Sequence, residues 1–256
     1  MLYFRQILIM IVSLYTVRVV LNTLGAEDYG IYNVVAGVVT MFSFLSNSMA
    51  TASQRYFSFA LGQNDSESLK KYFSMSFTIY CLIAVIILFL AETVGLWFVT
   101  QKLVIPVERQ NAAFWIYQAS IFSMICTILT APFMASIIAH EDMNIYAYVS
   151  IIEVVLKLCI VFLLPVFAID KLIFYGLLMA GVVFVNTAIY RTICVKKYVE
   201  CKFSFFWEKS LFKELVSYTG WNMFGSAVGV FKNQIVNIIL NQFFNPVVNA
   251  ARGIAA

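Results

Sequence analysis

Apolar residues fill seven long stretches of the chain, at about 2–22, 29–60, 72–99, 112–138, 145–168, 172–195 and 216–243. Each is long enough to carry a helix across a hydrocarbon core, which is roughly 30 Å thick and takes about 20 apolar residues. Short polar joints separate them, with turn-forming residues such as Gly25, Gly62, Asp65, Pro106, His140 and Asp170. The longest joint, about 196–213, is basic and aromatic, and its Phe203, Phe205, Phe206 and Trp207 mark a segment lying at a membrane interface. The sequence lacks the alternating ten-residue pattern of barrel strands. The pattern predicts an all-α, polytopic membrane bundle.

Several stretches carry polar lines at helical spacing. In the second, Asn33, Gly37, Thr40, Phe44, Asn47, Thr51, Gln54 and Ser58 recur every three or four residues, with Arg55 beside them. The seventh repeats this with Asn222, Ser226, Gly229, Asn233, Asn237 and Asn241, and Lys232 lies beside that line. The first places Tyr15, Arg18 and Asn22 on one face, and the fifth places Tyr146, Ser150, Glu153 and Lys157. Glu153 and Lys157 form an i,i+4 pair in the favourable order, either a self-neutralised structural pair or a functional one. The second stretch exceeds the membrane thickness, so it must tilt, bend or protrude. Small and hydroxyl residues in such helices also serve as packing glue, and Gly225-x-x-x-Gly229 is a close-approach motif. Pro132 and Pro165 each remove a backbone hydrogen bond, which serves either a hinge or packing.

Composition agrees with a membrane class. The chain has 256 residues, 62% hydrophobic and only 12% charged, where soluble domains carry about 25% charged residues. The net charge of +4 is not gathered into a patch that would bind nucleic acid. The five cysteines are spaced without a CxxC pair and read as reduced, small hydrophobes. His140 is the sole histidine, so a histidine-based metal site is not expected, and no cofactor or catalytic constellation stands out. The first apolar run carries Arg5 and Arg18 and has no small-residue cleavage site, so it reads as a span. Lys70, Lys71, Lys196, Lys197, Lys202, Lys209 and Lys213 fall on one side of the expected topology, which favours a cytoplasmic N-terminus.

Arg18, Arg55, Lys157 and Lys232 together would cost roughly 10 kcal/mol if each met lipid, and Glu153 cannot neutralise four cations. Arg5 and Arg191 read as snorkelling anchors, and Arg18 and Arg55 lie within reach of a surface. A wet cavity lined by cations suits an anion, guanidinium and ammonium groups suit phosphate oxygens, and Asn and Gln suit sugar hydroxyls.

Leu14-Tyr-Thr-Val-Arg-Val-Val-Leu-Asn-Thr-Leu-Gly25, Asp28-Tyr-Gly-Ile-Tyr32 and Ser53-Gln-Arg-Tyr-Phe57 resemble the first two helices of bacterial polysaccharide repeat-unit (O-antigen, Wzx-type) flippases. Gly220-Trp-Asn-Met-Phe-Gly225 and Asn245-Pro-Val-Val-Asn-Ala-Ala-Arg-Gly-Ile254 resemble their seventh helix and the loop after it. These flippases belong to the multidrug/oligosaccharidyl-lipid/polysaccharide exporter superfamily. The resemblance implies a MATE-like fold of two six-helix lobes around a central cavity. Residues 1–213 would then be the N-terminal lobe, with its basic cytoplasmic loop at 196–213, and 214–256 the first helix of a second lobe in a longer protein. A recurring V-x-apolar-apolar-L-N-x-apolar pattern at Val17–Leu24 and Val236–Phe243 agrees with that duplication.

The resemblance also implies a non-enzymatic role. The chain would move an undecaprenyl-diphosphate-linked oligosaccharide across the bacterial inner membrane by alternating access, beside polymerase and glycosyltransferase partners. Cationic residues that related lipid flippases use in helices one and two match Arg18 and Arg55; these, with Lys232, which matches no family motif, would hold the diphosphate, and Asn33, Asn47, Asn233 and Asn237 the sugar. Glu153, Lys157 and Glu92 are candidates for ion coupling. The rivals are a multidrug or metabolite antiporter, which would favour an acid-lined aromatic pocket, a membrane-embedded transferase, which needs a wet catalytic loop, and a structural scaffold. The adjacent acids Glu27–Asp28 and Glu141–Asp142 read as solvated turns or caps.

Overall fold

The computed structural model describes residues 2–165, 170–204 and 206–243, and the side chains of Asn47, Asn233 and Arg5 fall outside that description, as do Phe205 and the 245–254 motif. Among the described residues there is no strand. The helices are α1 (Leu2–Leu24), α2 (Ala26–Thr40), α3 (Phe44–Gly62), α4 (Ser66–Leu90), α5 (Leu96–Gln101), α6 (Gln110–Ala139), α7 (Met143–Leu163), α8 (Lys171–Lys197) and α9 (Lys209–Phe243). A 3-10 turn, Met41–Ser43, joins α2 to α3, and a π-helical turn, Ala91–Gly95, joins α4 to α5. Each of the seven expected stretches is therefore built mainly of helix among the described residues, with residues 166–168 of the fifth outside them.

Local chemistry sets the boundaries. Gly25 takes a φ of 85°, which a side chain would resist, and this lets α1 and α2 meet at 116°. Asp65 caps α4 by accepting from the Ser68 backbone N–H at 3.0 Å, and Asp170 caps α8 by accepting from that of Leu172 at 3.0 Å. Pro165 follows the end of α7, so that helix is shorter than the 145–168 expected. Pro132, by contrast, sits inside an uninterrupted α6.

The joint expected at 196–213 is also shorter. Lys196 and Lys197 still belong to α8, and α9 already begins at Lys209. The extra turns form because Leu211 and Leu215 are buried in the main core. Between them the chain makes a 3-10 turn, Val199–Cys201, and crosses to α4.

The bundle is built around α6, which packs most extensively on α8 and also on α2, α3 and α4. Small residues allow this. Ala112, Ala113, Ala119 and Ala135 are buried on α6, and a Cβ added at Gly176 of α8 would lie 3.3 Å from Ile116. On one flank α1 lies against α7, where Val20, Ile160, Val161 and Leu164 are buried together. On the other flank α9 lies along α3. The outer faces of α4, α7 and α8 stay apolar, as Val85 (66% exposed) and Phe89 (68%) illustrate. In water such a continuous apolar surface would drive association, whereas in a bilayer it faces lipid tails.

By length and apolarity Ser66–Gln101, Val107–Ala139, Met143–Leu163 and Lys171–Lys197 can each cross a membrane, and Ile9–Leu24 with Ala26–Ser43 qualifies as a bent pair. α9 supplies only a shorter apolar run, Ala227–Leu240. The seven equal spans of the sequence reading thus become two classes. The polar lines in α3 and α9 lower their apolarity, while α2 is as apolar as α8 but only 15 residues long.

Candidate functional site

The two amide lines meet where α9 crosses α2. A Cβ added at Gly37 would lie 2.7 Å from the Gln234 side-chain oxygen, so only glycine admits that amide at its present position. Gln234 donates through Nε2 to Thr40 Oγ1 at 2.9 Å, Thr40 donates on to the Gly37 carbonyl at 2.8 Å, and Asn237 donates to Gln234 Oε1 at 2.9 Å. Gln234, which no periodic argument singled out, is the centre of this seam. Asn33 donates back to the Tyr29 carbonyl in its own helix at 2.9 Å. Part of the expected sugar-facing lines is therefore engaged in helix packing. At the GxxxG motif, nothing among the described residues lies within 4 Å of a Cβ added at Gly225 or Gly229.

The 3-10 turn changes what the second polar line can face. Its three residues turn about 120° each instead of about 100°, so α3 is rotated by about 60° relative to a continuous helix. Gln54 is half-buried, while Thr40, Thr51, Arg55 and Ser58 are exposed.

Arg18, Arg55 and Lys232 are all exposed, and none makes an ion pair among the described residues. Arg18 lies six positions before the end of α1 at Leu24, close to the Gly25 end of the bundle. Arg55 lies seven positions before Gly62, close to the opposite end. Its guanidinium sits 4.9 Å from the ring centre of Tyr218 on α9, beside Tyr56, whose hydroxyl donates to Glu214 at 3.0 Å. Lys232 lies further along α9, fourteen positions beyond Tyr218. The three cations are thus spread along the membrane depth and are not gathered at one point.

Glu153 and Lys157 pair at 2.6 Å, as the i,i+4 spacing predicts. The pair borders a cavity of about 300 Å³ between α1 and α7, lined also by Gln6, Ser13 and Thr16. The Thr16 hydroxyl there is buried and has no partner among the described residues. Lys157 also borders a second cavity, of about 350 Å³, whose walls include Thr40, Ser123 and Thr127. Those three hydroxyls donate to carbonyls of their own helices, and since Thr40 also accepts from Gln234, the acceptor lone pairs left for a cation or water are mainly those of Ser123 and Thr127.

Glu92 lies in the π-helical turn. Such a turn frees a carbonyl, and the Tyr117 hydroxyl takes up that of Ala91 at 2.6 Å. Gly95 leaves room for this, since a Cβ there would be 2.2 Å from that hydroxyl. Gln118 donates to the Glu92 carboxylate at 3.3 Å.

Two polar clasps at the bundle ends escaped sequence reasoning. Arg109 reaches Asp28 at 3.1 Å and Asp170 at 3.0 Å, tying the starts of α2, α6 and α8. Asp28 is buried, so it is not the solvated turn residue expected. At the Gly62 end, His140 contacts Glu200 at 2.6 Å and stacks on Tyr198 with ring centres 4.2 Å apart. Asp142 pairs with Lys197 at 2.6 Å and accepts from the Tyr198 hydroxyl. Those hydrogen bonds from Lys197 and Tyr198 hold the Asp142 carboxyl below its ordinary 3.8. Burial, and then Asp142, push the Tyr198 phenol upward. Neither clasp follows a sequence period, because each joins residues 55 or more positions apart.

An apolar outer surface, a core of close-packed helices and polar side chains at membrane depth define a polytopic helical membrane protein. The family model described as polysaccharide biosynthesis protein matches residues 1–253. The chain belongs to that family, as the resemblance at Leu14–Gly25 and Gly220–Gly225 implied. No curated protein and no solved structure matches it.

Proposed function

We propose that the protein is a flippase that carries a polyprenyl-diphosphate-linked oligosaccharide across the bacterial inner membrane by alternating access, with its N-terminus in the cytoplasm and without covalent chemistry. One observation carries the reading: in a polysaccharide biosynthesis family member, Arg18, Arg55 and Lys232 stand exposed without acidic partners among the described residues, on α1, α3 and the amide-rich α9. Their spacing along the depth fits a ladder better than a cage. The diphosphate would meet Arg55 first, then Lys232, then Arg18, so no single site holds it too tightly to release. Asn33, Asn47, Asn233 and Asn237 would serve the sugar along the same path. Residues 1–213 would act as one lobe, with α9 opening a second. The Glu153–Lys157 pair, with Lys157 bordering two cavities, is the favoured place for ion coupling, and Glu92 the next.

Complementation of a strain lacking its own repeat-unit flippase tests this with the full-length protein. Arg18→Gln, Arg55→Gln and Lys232→Gln should each abolish surface polysaccharide while membrane insertion persists. Normal export by all three would reject the ladder. Export of a cationic drug without any effect on polysaccharide would assign the protein to antiport.

A further inference from the structure

A cavity of about 500 Å³ opens at the Gly62 end, on the face of α6 between α4 and α8. Its position differs from both cavities beside Lys157. Each helix contributes an i,i+4 pair to the lining: Phe73 and Phe77 from α4, Leu129 and Phe133 from α6, Arg191 and Val195 from α8. The chain after α8 crosses from α8 to α4 and closes one side with Lys202 and Phe203. Phe203 is held there by Phe77, with ring centres 5.1 Å apart.

The cavity is divided by chemistry. The rings of Phe73, Phe77 and Phe133 pack on one another, so the wall is apolar and preformed. Thr187, the polar group deeper in, donates to carbonyls and receives a bond from Thr130 at 2.8 Å, so it asks nothing of a ligand. Arg191 and Lys202 are exposed and make no ion pair among the described residues. Arg191 lies six positions before the end of α8 at Lys197, about 9 Å along the axis, where head groups meet hydrocarbon. Two cations there, above an aromatic slot, match a phosphate with a hydrocarbon tail. Basic pockets between transmembrane helices hold anionic head groups in this way.

We propose that this cleft is a binding site for an anionic phospholipid of the bilayer, its phosphate between Arg191 and Lys202 and one acyl chain against Phe77 and Phe133. The site lies away from the helices of the transport ladder. A resident lipid there would pin the α8–α9 joint to α4.

The test is native mass spectrometry of the full-length protein released from nanodiscs, with phosphatidylglycerol and phosphatidylcholine as probes. The wild type should retain phosphatidylglycerol in preference to phosphatidylcholine. Each cation near the surface favours an anionic lipid by about fivefold, so Arg191→Gln with Lys202→Gln should lower that preference about 25-fold. Lys209→Gln with Lys213→Gln, on the same end but outside the cleft, should leave it unchanged. Leu129→Trp should reduce retention by filling the slot with the cations intact, helicity and melting being used to confirm folding. Equal retention of the two lipids by the wild type, or an equal loss in the Lys209/Lys213 variant, would overturn the proposal. So would stoichiometric displacement of phosphatidylglycerol by polyprenyl phosphate, which would assign the cleft to the lipid carrier. Export activity is not the readout, so failure here and failure of the flippase reading remain distinguishable.

Discussion

The four helical segments that can cross a membrane unaided (α4–α5, α6, α7 and α8) differ from the flanking α1, α2–α3 and α9 in what they spend their polar groups on. In the first set, hydroxyls such as Thr78, Ser123, Thr127 and Thr192 donate to carbonyls one turn back, Thr130–Thr187 and Gln118–Glu92 bond across helices in the interior, and the outer surfaces are left to lipid. In the second set, Gln234 reaches across to Thr40 while Asn33 bonds within its own helix, and Arg18, Arg55 and Lys232 make no ion pair among the described residues. A rigid apolar scaffold thus carries a polar edge. Intrahelical hydroxyl bonds cost little in hydrocarbon because they need no partner helix. Interhelical amides and unpaired cations need one, or need water.

The contrast breaks most decisively if charge removal has the same effect in both sets. Arg18→Gln, Arg55→Gln or Lys232→Gln should eliminate export, whereas Arg191→Gln in the scaffold should reduce it far less in the same surface-polysaccharide assay. Within the scaffold, Gly95→Ala should cost about 2–3 kcal/mol of stability, because the new Cβ must expel the Tyr117 hydroxyl from the Ala91 carbonyl. Tyr117→Phe should recover most of that loss in the double variant, and unfolding in detergent with a denaturant series would show it. Arg109→Gln leaves Asp28 buried opposite no cation and should cost about 2 kcal/mol, discounted because Arg109 itself is partly exposed. On the polar edge, Gln234→Leu should cost about 0.5–1.5 kcal/mol, the range for interhelical bonds in membranes. A null result there, together with normal export, would show that the α2–α9 seam is incidental.

The smallest expected effect is on pH. The Asp142 carboxyl is depressed in the fold, so the stability it adds is present above its ordinary value of 3.8 and is lost as pH falls through the lower folded value. Hydrogen exchange at residues 140–143 and 197–201 should therefore accelerate only in acid below about pH 4.

Much of this was legible in order along the chain. The seven stretches and the Glu153–Lys157 pair follow from period and length, and the overlong second stretch, expected to tilt, bend or protrude, is interrupted by the 3-10 turn at Met41–Ser43. Membership in the polysaccharide family followed from short motifs at Leu14–Gly25, Asp28–Tyr32 and Ser53–Phe57. The clasps at Arg109 and His140, the role of Gln234 and the Phe77–Phe203 closure were not legible, because each depends on residues far apart in sequence. The GxxxG motif in α9 meets no neighbour among the described residues, whereas Gly37 supplies a close approach, because small residues permit contact but do not require it.

Apolar length and the sparseness of charge were enough to determine a helical membrane bundle, since hydrocarbon forces backbone groups to pair within each segment. Tertiary structure alone decided which polar side chains are glue, which border cavities and at what depth the cations stand. Those outcomes depend on helix crossings and on rotations such as the turn at Met41–Ser43, which one-dimensional spacing does not encode.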